Sequence, residues 1–200
     1  MAAVQGLVTE LEAVLGAASA PRRAAILQQV TDLFLAGAPS YSNDQITVFD
    51  VVLNILVQKM ERQALIELGN KLASTENLPT DVIVRLSSDD DPMIAQSILK
   101  HCDALADEII LEVAKTKGQG HLLAIATRQR LSEAITTVLI ERGGSEIMRI
   151  VVANEGAHIS QVGFVKLINE AKRDNKLAEM ISNRKDMPAE LQPFLQLLRT

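Results

Sequence analysis

Residues 140–154 read IERGGSEIMRIVVAN. A glycine pair is followed by Ser145, Glu146 and an apolar run, and two readings compete. A loop that cradles phosphate would make the chain a nucleotide-binding enzyme. A joint between two helices would make it one link of a helical stack. A phosphate loop of the Walker kind needs a lysine and a hydroxyl residue directly after its second glycine, and a strand before the loop. No lysine follows Gly143 and Gly144, and Gly143, Gly144 and Gly156 miss the dinucleotide-binding spacing. The helix joint fits: Gly143 ends a helix that carries Leu139, and Ser145 caps the next.

The same punctuation recurs. Laying 91-DPMIAQSIL-99 over 145-SEIMRIVVA-153 matches Asp91 with Ser145, and Met93, Ile94 and Ile98 with Ile147, Met148 and Val152. Likewise 104-ALADEIILEVAK-115 lies over 157-AHISQVGFVKLI-168, and 122-LLAIATR-128 over 177-LAEMISNR-184 with one residue more. The segments 78-LPTDVIVRL-86, 131-LSEAITTVL-139 and 187-MPAELQPFL-195 share an opening: an apolar residue, then Pro or Ser, then an acid. The period is roughly 53 residues, a length that signals stacked helical repeats. It predicts units of roughly 25–77, 78–130 and 131–186 and a partial unit over 187–200, all in a single domain 1–200. Each full unit holds four short helices as two hairpins, and residues 45–77 read as half of the first copy.

Local patterning agrees. In 44-DQITVFDVVLNILVQKM-60 the residues Ile46, Phe49, Val52, Leu53, Leu56, Val57 and Met60 form one stripe at helical spacing. Asn43 or Asp44 is its expected N-cap. The helix of 22-RRAAILQQVTDLFLAG-37 stops at Gly37. Pro21, Pro79, Pro92 and Pro188 sit where helices begin, a position that tolerates a missing N–H. In 87-SSDDDP-92 an Asp caps the next helix, and the carboxylates suit its positive end.

Composition supports helices. Of the 200 residues 48% are hydrophobic but only 2% aromatic, with no Trp and one Tyr. A core of Leu, Ile, Val, Ala and Met favours close helix packing over aromatic-rich strands. The net charge of −5 gives no general pull toward nucleic acid or anionic membrane. A lone cysteine, Cys102, excludes an internal disulfide and fits a reducing compartment. The N-terminus lacks a basic segment before its apolar residues, so it is no signal peptide. No apolar run approaches the ~18 residues of a membrane span. A soluble, cytoplasmic protein is expected.

Chemistry-bearing clusters are sparse. His101, Cys102 and Asp103 are adjacent, so on a helix they point about 100° apart and cannot converge on one ion. Zinc motifs pair ligands two to four residues apart, which neither these residues nor His121 and His158 provide. Cys102 reads as buried and inert. His158 and Ser160 have no third partner. Asp107 with Glu108, and Glu170 with Asp174 on one helix face, read as solvated carboxylates. No catalytic residue, metal site or cofactor is expected. One asymmetry stands out: between Lys115 and Arg149 the bases Lys115, Lys117, Arg128, Arg130, Arg142 and Arg149 outnumber Glu133, Glu141 and Glu146. Arg128, Arg130, Arg142 and Arg149 are therefore candidates for a partner- or anion-binding patch. They also suit helix ends, where cations satisfy C-terminal carbonyls. Asn154 joins them, at a helix end where a left-handed turn or a bridge between repeats is expected.

Four short runs carry a resemblance: Arg-x-x-Leu-Ser-Glu at Arg128–Glu133, Arg-Gly at Arg142–Gly143, Asn-x-Gly-Ala at Asn154–Ala157 and Arg-x-Asp-x-Pro at Arg184–Pro188. With them, residues 75–200 resemble a bacterial, chiefly alphaproteobacterial, family of HEAT-like helical proteins known as a domain of unknown function. The N-terminal third resembles it loosely. The segment 86-LSSDDDPMIAQSIL-99 resembles the turn into the second helix of a HEAT-type repeat. The resemblance implies an all-α fold, an α-solenoid or right-handed superhelix of HEAT-like helical hairpins. It brings no activity or cofactor. Members are often longer, which implies a fragment or a short version.

The expected function is a non-enzymatic scaffold that binds a protein partner, because stacked helix pairs present an extended surface. One alternative is nucleic-acid binding or base excision, disfavoured by the acidic charge and the dearth of stacking aromatics. Another is a small anionic-ligand sensor using the 115–149 basic patch. The terminal 187-MPAELQPFLQLLRT-200 opens a repeat it does not finish, which predicts a homodimer through that end.

Overall fold

Segments with apolar residues at helical spacing produce thirteen α-helices among the residues that the computed structural model describes, 2–75 and 77–197. The end of the expected partial repeat, 198–200, lies outside the described residues. The fold is all-α, and its only extended pairing among the described residues is an isolated parallel bridge between Leu131 and Ala157. The chain divides into two compact units, Met1–Leu105 and Ala106–Thr200.

Unit 1 contains α1 (Ala2–Ala17), α2 (Ala20–Gly37), α3 (Asn43–Val57), α4 (Arg62–Leu72), α5 (Thr80–Ser87) and α6 (Pro92–His101). Helices two apart in sequence pack together: α1 on α3 and α3 on α5, then α2 on α4 and α4 on α6. Two rows result, with Phe34, Leu53, Leu56, Leu72, Leu86, Ile98 and Leu99 fully buried. Phe34, Tyr41 and Phe49 form an aromatic knot at the α2–α3 turn, with ring centroids 5.1–6.1 Å apart. The tilted and edge-on contacts suit aromatic quadrupoles.

Unit 2 contains α7 (Asp107–Thr116), α8 (Gln119–Ala126), α9 (Glu133–Arg142), α10 (Ser145–Ala153), α11 (Gln161–Ala171), α12 (Asn175–Ser182) and α13 (Gln192–Gln196). The pairing rule repeats: α7, α9 and α11 form one row, and α8, α10 and α12 the other. Ile110, Leu122, Ile125, Leu139, Val151, Leu167, Leu177 and Ile181 fill the space between. Cys102, in unit 1, is buried.

In the even rows a side chain of one helix reaches the N-cap of the next. Arg23 of α2 pairs with Glu61, the N-cap of α4, at 2.7 Å. Arg62 of α4 pairs with Asp91, the N-cap of α6. In unit 2 the Gln119 side chain of α8 accepts from the amide of Gly144, the N-cap of α10, at 3.3 Å. Arg149 of α10 pairs with Asp174, the N-cap of α12, at 2.8 Å. The carboxylates also take amide protons at their own helix starts, Asp91 from Met93 at 2.9 Å and Asp174 from Leu177 at 3.0 Å. One acid thus starts a helix and fixes that helix to its neighbour.

Several sequence expectations need correction. The cap of α3 is Ser42, in a capping box with Gln45, so Asn43 and Asp44 lie inside the first turn. Gly144 is the N-cap of α10 and Ser145 its first residue, without a side-chain cap bond. Helix α11 stops at Ala171, so Glu170 and Asp174 share no helix face. The expected repeat edges at 77/78, 130/131 and 186/187 fall between helices, whereas the edge at 25 falls inside α2, whose start is set by Pro21. No helix among the described residues is long and apolar enough to cross a membrane.

Candidate functional site

The chemistry in the sequence motifs converges on three connections at one end of the unit 2 helices. The first joins α8 to α9, the second joins α10 to α11, and the third follows α12. Leu131 donates its N–H to the Gly156 carbonyl at 3.1 Å, and His158 donates to the Leu131 carbonyl at 3.0 Å. Asn154 donates its side-chain amide to the Arg128 carbonyl at 2.7 Å, while its Oδ1 accepts from the Gly156 amide at 2.9 Å. The Thr136 hydroxyl donates to the His158 carbonyl. A Cβ at Gly156 would overlap the Gln129 carbonyl, so the approach of the two loops requires glycine.

Arg184 closes the third rung. Its Nη1 donates to the carbonyls of Val152 at 3.0 Å and Asn154 at 2.8 Å, and its Nη2 to Ala157 at 2.9 Å. Nε and Nη2 form a fork on Asp186 at 2.7 and 2.6 Å. The side chain is only 8% exposed. The last carbonyls of a helix have no intrahelical donor, and a planar guanidinium can serve several at once. Arg184 therefore terminates α10 from thirty residues downstream. The Arg184 fork holds the Asp186 carboxyl below its usual range, against an opposing push from burial and with a smaller contribution from His158.

Beside this fork lies a groove of about 590 Å³ lined by Glu155, His158, Met180, Asn183, Lys185 and Asp186, among others. The Ser160 hydroxyl, close to His158 in sequence, accepts the Gly163 amide at 2.9 Å as the N-cap of α11. The Asp174 carboxyl, pushed up by desolvation, is pulled further down by the Leu177 amide and by Arg149.

The five residues singled out from sequence do not share one surface. Arg128 is buried, 8% exposed, within the α8–α9 connection, and Arg130 is exposed two residues on. Arg142 ends α9, so α9 separates it from Arg130; a helix of that length spans about 15 Å. The Arg142 guanidinium donates to the Ala114 carbonyl near the end of α7. Arg149 is engaged by Asp174. Arg128 and Arg130 thus lie at the opposite end of α9 from Arg142, because consecutive connections in a hairpin lie at opposite helix ends. Asn154 has extended backbone, φ −82° and ψ 106°, rather than a left-handed turn; that geometry lets its amide face both loops. The left-handed non-glycine residue among those described is Asn77. Arg184 and Asp174 had no distinguishing sequence signal beyond an Arg-x-Asp run and an acid ahead of a helix.

Helical rows tied by loop rungs define an all-helical protein, and a family match places it further. Residues 94–195 match the family described as "Uncharacterised protein conserved in bacteria (DUF2336)", and the chain belongs to that bacterial family. The match runs from α6 through α13 and includes all four motif runs. No curated protein and no solved structure matches the chain.

Proposed function

We propose that the chain is a non-enzymatic helical-repeat scaffold that binds another protein. The observation that carries this reading is the packing of helix n on helix n+2 in each unit. Hairpins that bury their faces only against the next hairpin are the building principle of HEAT-like α-solenoids. The N-cap interlocks repeat along the same rows and support the same principle. A scaffold needs rigid helices and open flanks. The polar chemistry of the loop rungs is consumed internally, which suits a role in rigidity. Large apolar side chains remain open on the flanks, among them Leu33 and Val48 in unit 1 and Val162 and Phe194 in unit 2. The setting would be the bacterial cytoplasm.

Affinity capture from bacterial cells tests the proposal. The chain should retain a defined protein at near-stoichiometric level, and the Leu33→Asp or Val162→Asp variant should lose it while keeping its helical circular dichroism. Retention of nothing above a tag-only control would sink the reading.

A further inference from the structure

The α11–α12 corner carries a larger positive surplus than its sequence shows, because the one acid among its bases is engaged by another helix. Residues 172–176 are Lys-Arg-Asp-Asn-Lys. Lys172, Arg173 and Lys176 are all exposed. Asp174, the acid among them, turns inward: it accepts the Leu177 amide at 3.0 Å and pairs with Arg149 of α10 at 2.8 Å. Its charge is matched by Arg149 and does not offset its sequence neighbours. Nearby acids are few. Glu170 has Lys166 one turn before it on α11, at a spacing that pairs charges, and Glu179 lies one turn beyond Lys176 on α12. A positive surplus remains at the corner.

The corresponding corner of unit 1 has the opposite sign. There Arg62 holds Asp91, the N-cap of α6, as Arg149 holds Asp174. The two residues before the cap are Asp89 and Asp90 in unit 1 but Lys172 and Arg173 in unit 2. The same framework thus displays different charge, so the sign is not imposed by the interlock. The units differ in the same sense: unit 1 has thirteen acids against seven bases, unit 2 twelve acids against thirteen bases. An acidic partner is repelled by the first composition and tolerated by the second.

From this we infer that the α11–α12 corner, through Lys172, Arg173 and Lys176, is a docking point for an acidic segment of a partner protein. The inference rests on the scaffold reading and gives its partner a chemistry. A protein is favoured over nucleic acid because the unit 2 aromatics are Phe164, which is buried, and Phe194, leaving no platform of stacking rings at the corner.

A fluorescent oligoglutamate peptide, titrated against the full chain, tests the corner directly. At low salt the wild-type chain should bind it, with affinity falling as salt is raised. The triple variant K172Q/R173Q/K176Q should bind about tenfold or more weakly, with an unchanged melting temperature. Equal binding by both chains, or no binding at low salt, overturns the proposal. Tighter binding of a single-stranded oligonucleotide overturns it in favour of nucleic acid. Self-association abolished by the triple variant overturns it in favour of a second copy. In the capture experiment, unchanged retention by the triple variant removes the corner and leaves the scaffold. If wild type captures nothing, the scaffold falls and the peptide titration alone decides the corner.

Discussion

Asn154 donates its side-chain amide to the main-chain carbonyl of Arg128 at 2.7 Å. Both residues have side chains suited to ligands, yet here one serves the other's backbone. Replacing Asn154 with Asp removes the donor and points a carboxylate at a carbonyl. The expected loss is about 1–3 kcal/mol, the cost of a half-buried group left unpaired. Denaturant melts of Asn154→Asp and Asn154→Ala check this; wild-type midpoints in both would remove the bridge from the account.

Arg184 should be among the most sensitive positions of unit 2. Truncation to Ala strands the carbonyls of Val152, Asn154 and Ala157 and leaves Asp186 without its fork. A loss of about 1–3 kcal/mol is expected, mainly from the stranded carbonyls, because Asp186 is half exposed and its pair is screened by solvent. Arg184→Lys should recover only part of it, because an ammonium cannot reach several carbonyls in one plane. Full recovery by lysine in thermal melts would contradict that geometry.

Gly156→Ala should cost about 1–3 kcal/mol through overpacking against the Gln129 carbonyl. Gly16→Ala provides the contrast. That helical glycine of α1 has open space around its missing Cβ, so alanine should stabilise by about 0.5–1 kcal/mol. Comparable melts for the two variants would show that steric approach is not the reason for Gly156.

Asp50 of α3 accepts the amides of Asp81 and Val82 at the start of α5, at 2.8 and 2.9 Å. Its carboxyl is nevertheless raised, because desolvation, aided by the Asp81 charge, outweighs those donors. The folded state therefore binds this proton more tightly than the unfolded chain. The contribution is full below the unfolded value and is lost as pH rises through the folded value. Asp50→Asn keeps one acceptor oxygen and turns an NH2 toward the other amide, so it should lose one of the two bonds, whereas Asp50→Ala should lose both. Denaturant melts across the carboxylate range should show wild type losing more stability than either variant as pH rises, and equal slopes in all three would refute the sign.

Asp174 and Asp186 behave oppositely. Desolvation raises Asp174, but its amide and Arg149 partners win, and the Arg184 fork lowers Asp186. Their contributions are present above the unfolded carboxylate value and are lost as pH falls through the depressed folded values. Acid titration followed by circular dichroism should show Arg149→Gln and Arg184→Gln flattening the stability loss in that window. Unchanged slopes would separate these pairs from acid unfolding.

Much of the fold is legible in the sequence because helices are local. The stripe from Ile46 to Met60, the prolines at helix starts and Asp91 as a cap all act within a few residues of themselves, and α3, α2 and α6 form where those signals stand. The candidate site was legible only as composition. Arg128, Arg142 and Arg149 read as a patch because sequence counts charge without showing direction. In three dimensions Arg142 turns to Ala114 and Arg149 to Asp174, partners more than twenty residues away. Asp174 shows the reverse error: beside Glu170 it reads as part of a solvated face, but a helix break hands it to α10. Motif position found the rungs at Asn154 and Arg184 but not what they bind, since carbonyl acceptors leave no trace in side-chain identity.

The fastening of α10 by Arg184 gives unit 2 a direction in time. The arginine lies 27 to 33 residues after the carbonyls it receives. A growing polypeptide that has completed α10 and α11 still lacks the group that finishes α10's end, and must wait for α12 to emerge. The end of α10 is thus complete only once a residue from beyond α12 is in place.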